Sequence, residues 1–323
     1  MLLSMAEPPP DPPPSRDAVH HETFSNLKVA RSFFESYLPA SLAQHCHWPS
    51  LQNQTPVYKA VFDSSACCDL LFSVHWESSQ QQPLFLHLLF EHQSRPDPRM
   101  PFRLLRYMVR IWDAFLKQNH KARHLPAVYP IVLHQSNRPW HNPPNLADLF
   151  ALPEGLAHPP WLPNLQFHLV DLARIPFDQF RQQVLAHAAL AVMKAVDLQH
   201  PEEHLATLFD ILQIALDPDR NPELLARYLQ NFLAFADNLD MPQFHKKLAT
   251  LADSPMKTKG LSLAEQYIAA GREEGIAAGR EEGLSSGRRE ALLSTTRRQL
   301  TRRFGPLPET RRRPSRQRLL RGS

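Results

Sequence analysis

Asp69-Leu70-Leu71-Phe72-Ser73-Val74 and Leu84-Phe85-Leu86-His87-Leu88-Leu89-Phe90-Glu91 are two apolar segments joined by the polar stretch 77–83. Their apolar character and the polar connector that supplies a turn predict the two strands of a hairpin. If the turn centres near Gln80, antiparallel pairing sets Asp69 opposite Glu91. Carboxylates facing each other repel unless positive charge lies between them, and a divalent cation meets that need. Gln93 follows Glu91 by two residues and is expected on the same face. Carboxylates at strand ends also occur simply as solvated residues, so the pattern alone marks a candidate metal site and no more.

The residues after this hairpin carry a helical period. Leu104, Leu105, Met108, Ile111, Trp112 and Phe115 form one apolar face that begins just after Pro101. Arg103, Tyr107 and Arg110 fall together on its flank, where a solvated basic edge and a phosphate-binding edge would look alike. Upstream, Val29, Phe33, Phe34, Tyr37 and Leu38 predict a short amphipathic helix stopped by Pro39. Glu35 lies on that helix, away from the centre of its apolar stripe. Residues 127–134 and 165–172 read as further core strands. Strands alternating with helices predict an α/β fold with a mixed sheet flanked by helices.

From residue 177 onward the pattern becomes helical, with segments near 178–197, 202–216, 222–237 and 242–253. The chain is thus read as a Pro-rich lead (1–19), an α/β domain (20–176), an all-α subdomain (177–258) and a Gly/Arg/Glu repeat linker with a basic tail (259–323). The lead holds six prolines in the seven positions 8–14 and is expected to be extended and disordered. In the repeat, glycine recurs every fourth residue from Gly271 to Gly287. Each glycine costs a helix about 1 kcal/mol relative to alanine. Two readings stand for it: a marginal helical linker able to self-associate into a homo-oligomer, and a flexible charged spacer.

Composition removes several alternatives. The chain of 323 residues has 31 prolines and nine glycines, and only Gly155 lies before residue 260. A body so poor in glycine lacks the phosphate-cradling loops of Rossmann and P-loop folds. Residues 297–321 hold ten arginines and one acid, a balance of +9, so the rest of a chain of net charge +4 carries −5. The basic character belongs to the tail. Cys46, Cys67 and Cys68 are too few for a disulfide framework, which points to a reducing, cytoplasmic location. Cys46 lies between His45 and His47, but no second ligand pair at zinc spacing follows. No apolar run reaches the ~18 residues needed to span a bilayer, and no membrane partner is expected.

Several blocks resemble the recombination-promoting nuclease (Rpn) family, also described as transposases. They are Asp69-Leu70-Leu71-Phe72, residues 88–97, residues 100–108, Pro130-Ile131-Val132-Leu133-His134 with Arg138-Pro139-Trp140, residues 145–150, and Arg303-Phe304-Gly305-Pro306-Leu307-Pro308. The resemblance runs from about residue 20 to about residue 309. That family is similar to the PD-(D/E)XK nucleases, in which an aspartate and a Glu-x-Lys motif bind magnesium for phosphodiester cleavage. Carried over, Asp69 takes the aspartate role, Glu91 the glutamate and Gln93 the position usually held by lysine. A glutamine is common there in this family; it orients water or a phosphate oxygen through its amide but supplies no cation. Arg103 and Tyr107 become candidates for holding the scissile phosphate.

The resemblance therefore implies a magnesium-dependent DNA endonuclease that promotes recombination. The reading from a different class is a DNA-binding or regulatory relative that has lost turnover, or a degenerate gene copy.

Overall fold

The computed structural model describes residues 15–57, 70–77, 79–91, 97–154, 159–216, 221–250, 258 and 262, with backbone alone at 79–83 and 87–91. All belong to the first of two compact units, Met1–Ala264; the second, Glu265–Ser323, lies outside the described residues, and with it the repeat and the basic tail.

Helices α1 (Arg16–Ser25), α2 (Leu27–Tyr37) and α3 (Ala40–Ala43) lead into strand β1 (Cys46–Asn53). Strands β2 (Leu70–Trp76) and β3 (Ser79–Glu91) follow, then helix α4 (Met100–Gln118) and strands β4 (Ala127–His134) and β5 (His168–Asp171). Helices α5 (Leu185–Val196), α6 (Leu205–Leu216), α7 (Pro222–Phe235) and α8 (Met241–Thr250) close the described part. The strands form one sheet in the order β1-β2-β3-β4-β5, antiparallel across the first three and parallel from β3 to β5. The fold is therefore α/β, a mixed five-stranded sheet flanked by helices.

The sheet is covered on both faces, which is why its central strands read as continuous apolar runs. Leu70, Phe72 and Val74 of β2, Leu84 and Leu86 of β3, and Ile131 and Leu133 of β4 join the large core built with α2 and α5. The opposite pleat faces α4. There Leu71 and Phe85 pack with Ile111, and Val132 packs with Met100, Leu104 and Tyr107. Pro101 near the start of α4 costs that helix nothing, because the first helical amides have no partner within the helix.

The hairpin forms, but in a different register from the expected one. Leu70 pairs with Leu88, whereas the expected turn would have set it against Phe90. Strand β2 runs on to Trp76, which pairs with Ser79, so the polar residues 79–83 extend β3 instead of forming a loop. A slip of two residues leaves every side chain on its original face, so apolar patterning cannot detect it; the turn decides.

Two other features differ from the sequence reading. Helix α1 begins at Arg16, inside the span read as an extended lead, because the Ser15 hydroxyl caps it by accepting from the Ala18 amide at 3.2 Å. Strand β1 is too polar to announce itself. It is an edge strand that tolerates Pro49 and buries Cys46 and Leu51.

The helical layer behind the sheet carries a pH signature. His187 on α5 is buried between the rings of Tyr37 and Phe180, at 6.1 and 5.5 Å between centroids. Burial holds its pKa below the ordinary 6.5, with a partial opposing contribution from the Phe180 backbone. His168 on β5 is lowered in the same way by burial. A histidine that folding keeps neutral contributes stability that is complete above its ordinary value and lost as pH falls below it. Urea unfolding midpoints should therefore decline as pH drops from about 7.5 to about 5, and less so in His187→Leu. A midpoint flat across that range in the parent chain would refute this.

Candidate functional site

Three parallel strands end at the same level. Glu91 closes β3 with its Cα paired to that of His134, and His134 closes β4 paired to Asp171, the last residue of β5. The carboxyl ends of parallel strands are where an α/β sheet gathers ligands, since the chain leaves the core there and can present polar groups.

Asp171 is the hub of the described part of this end. It is buried, and four donors converge on it. His134 Nδ1 (3.0 Å) and the Ala173 amide (3.2 Å) reach Oδ1, while the Trp140 amide (2.9 Å) and Arg174 Nε (3.1 Å) reach Oδ2. Burial alone would raise its pKa. The hydrogen bonds from His134 and from the Trp140 and Ala173 amides outweigh that and hold the carboxyl below the usual carboxylate value. Arg174 also donates to the Trp140 carbonyl at 2.9 Å, so the loop after β4 is tied to the end of β5 twice. Lys194 of α5 donates to the Leu172 carbonyl at 2.6 Å, and burial lowers its pKa against the pull of Asp171.

An ionised Asp171 fixes the imidazole of His134 with the proton on Nδ1. Nε2 is then an acceptor, and it is buried with no hydrogen-bond partner among the described residues. The indole of Trp140 stands edge-on to the ring, 5.2 Å between centroids. Beside this network opens a cleft of about 580 Å³ lined by Trp140, His141, Asn142, His168, Asp171 and Arg174 among others.

Helix α4 brings Arg103 and Tyr107 to the same side of the sheet. Tyr107, expected on the flank, is buried among Met100, Leu104, Val132, Trp140 and Phe167, because the layer above β4 is deep enough to take its ring. Its hydroxyl accepts from Arg103 Nε at 3.3 Å, and the guanidinium lies 5.7 Å from the ring centroid. The basic side chain is thereby held to the helix and linked through the Tyr107–Trp140 packing to His134.

Of the residues singled out from sequence, Asp69 and Gln93 lie outside the described residues, and only the backbone of Glu91 is described. Arg103 and Tyr107 do come together. Glu35 pairs with Arg31 at 2.8 Å on an exposed helix face, which fits no role as a ligand. No group of three or more His, Cys, Asp or Glu that could hold a metal occurs among the described residues. Cys46 is buried beside the Leu42 carbonyl, and burial with nearby Glu77 raises its pKa to about 11. Asp171 and Arg174 were not singled out from the sequence. The available signal was Asp171 at the end of an apolar run, the same placement that drew attention to Glu91.

A mixed sheet that delivers histidine and carboxylate groups to the ends of adjacent parallel strands defines an α/β protein with a polar site at that edge. The chain belongs to the family described as "Putative transposase, YhgA-like", which matches residues 14–222. It is similar to recombination-promoting nuclease RpnC of Escherichia coli K12, 28% identical over 218 residues that cover 67% of this chain and 69% of the relative. It is also similar to recombination-promoting nuclease RpnD of Escherichia coli O157:H7, 27% identical over 254 residues, covering 73% and 92%. A third relative, 25% identical over 262 residues covering 80% and 83%, is named the inactive recombination-promoting nuclease-like protein RpnE of Escherichia coli K12. No solved structure matches. No described helix is long and apolar enough to cross a membrane.

Proposed function

We propose that this chain is a magnesium-dependent DNA endonuclease of the PD-(D/E)XK type that promotes recombination and works in the cytoplasm. The observation that carries the reading is the end of β3: Glu91 closes that strand level with His134 and Asp171, in a family whose relatives are named nucleases. A buried acceptor at the neighbouring strand end, His134 Nε2, fits a cation held at this edge.

Asp69 and Glu91 would hold the ion. When bound, it supplies charge neutralisation at the scissile phosphate and a more acidic attacking water. Gln93, with no proton of lysine strength to give, orients that water or a phosphate oxygen through its amide. Arg103 neutralises phosphate charge, and Tyr107 keeps the guanidinium in place through its hydroxyl. Asp171 acts at one remove by fixing the His134 ring.

A second reading, a DNA-binding relative without turnover, is favoured by one finding: a relative matched over 80% of this chain is named inactive. Supercoiled plasmid separates the two. The nuclease reading expects nicking with magnesium, none with EDTA, and none for Glu91→Gln. Retention of the plasmid without nicking under every condition would establish the second reading instead.

A further inference from the structure

We propose that Arg174 and the cleft beside it seat one phosphodiester unit of a DNA strand, the outer edge of the guanidinium taking the phosphate and the cleft taking the attached nucleotide. The identity of the polymer rests on the nuclease reading above; the residues are ones to which that reading gives no role.

A guanidinium carries five N–H donors in a rigid planar fork. In Arg174 the side edge of the fork is taken, since Nε donates to Asp171 Oδ2 at 3.1 Å and Nη2 to the Trp140 carbonyl at 2.9 Å. The far edge, Nη1 with the second hydrogen of Nη2, meets no hydrogen-bond or ion-pair partner among the described residues. Such an edge can grip a phosphate through two parallel bonds. The side chain is 61% exposed yet fixed at two points, so it adds little to the fold while its orientation is set in advance. Asp171 brings one negative charge, which Arg174 offsets. Lys194 interacts with the same carboxylate and donates to the Leu172 carbonyl at 2.6 Å, which leaves these three groups with one positive charge in excess.

The cleft has the size and the walls for a nucleotide. It measures about 580 Å³, within the range of small-molecule sites. One wall is His168 to Asp171 of β5 and the other is the segment 140–144. That segment is stiff: the Trp140 indole donates to the Asn142 carbonyl at 2.7 Å, the Pro144 carbonyl accepts from the Phe167 amide at 3.4 Å, and Pro143 and Pro144 each restrict their own backbone. Among the described residues that line the cleft, Asp171 is the one carboxylate, and four donors already engage it. Asp171 closes β5 level with the end of β4, so a phosphate on Arg174 stands at the same edge of the sheet as the rest of the site.

The test uses the full chain, a short fluorescent DNA duplex and four proteins: the parent, Arg174→Gln, Arg174→Lys and Arg227→Gln. Arg227 on α7, paired with Glu22 at 2.8 Å, loses the same charge away from the cleft. Binding is measured in EDTA across a salt series. Arg174→Gln should bind roughly tenfold more weakly, and the slope of log affinity against log salt should shrink by about 0.9, the value of one duplex phosphate contact. Arg174→Lys should keep the slope and lose affinity, because lysine has the charge without the fork. A merely structural arginine would leave the slope unchanged in Arg174→Gln, and a general charge effect would change it equally in Arg227→Gln; either result overturns the inference. So does inorganic phosphate binding that Arg174→Gln abolishes while duplex binding stays intact. Plasmid nicking by the parent beside an unchanged slope removes this contact and leaves the nuclease reading standing. An Arg174-dependent slope in a parent that never nicks keeps the contact and sinks the nuclease reading, and a parent that neither binds nor nicks overturns both. Should Arg174→Gln not fold, Arg174→Lys decides, with unchanged affinity overturning the inference.

Discussion

Asp171→Ala is expected to cost the fold about 3 kcal/mol or more, because it strands several buried donors and each costs roughly 1–3 kcal/mol when left unsatisfied. The loss leaves His134 Nδ1 and the Trp140 and Ala173 amides without their acceptor in a buried setting. It also releases Arg174, whose side chain is 61% exposed and whose own share is small for that reason. Asp171→Asn should be milder, because it keeps the volume and one carbonyl acceptor. The same group sets an acid limit. Its folded pKa lies below the ordinary 3.8, so its contribution is complete above that value and disappears as pH falls through the folded pKa. Urea unfolding at neutral pH measures the main effect; a change of less than about 1 kcal/mol for Asp171→Ala would mean the hub is not structural.

Asp69→Ala is expected to lower magnesium-dependent plasmid nicking by about a thousandfold or more, because ion binding contributes several kcal/mol to the barrier and each 1.4 kcal/mol is tenfold. Its thermal stability is expected to stay close to that of the parent if the residue's role is in the chemistry. The combination matters: lost nicking in a protein of unchanged melting temperature places the residue in the chemistry. Nicking retained to within tenfold of the parent would remove Asp69 from the site.

The fold was legible wherever burial imposed a period. Strands β2, β3 and β4 and helices α2 and α4 were visible as apolar patterns, because each buries a stripe or a face against a full layer. Strand β1 escaped because an edge strand needs few apolar residues. The hairpin register escaped because a two-residue slip conserves the faces and depends on the turn alone. Tyr107 was placed one step too far out, since helical spacing gives an angle around the axis and says nothing about the depth of the layer above. Asp171 illustrates a different limit. Its partners lie 31 and 37 residues away in sequence, and no local motif records a contact of that range.

Among the described residues, the two sides of the sheet are packed unequally. Among these residues, the face toward α2 and α5 forms one continuous core, whereas the face under α4 forms two smaller clusters, around Tyr107 and around Ile111. Local opening costs least where few apolar contacts must be broken. The first sub-global excursions of the native molecule should thus be a lifting of α4, with backbone amides there exchanging ahead of those in α5. Such breathing would loosen the hold on Arg103 while the architecture beneath persists, giving a bulky polymer room to reach the strand ends without unfolding the protein.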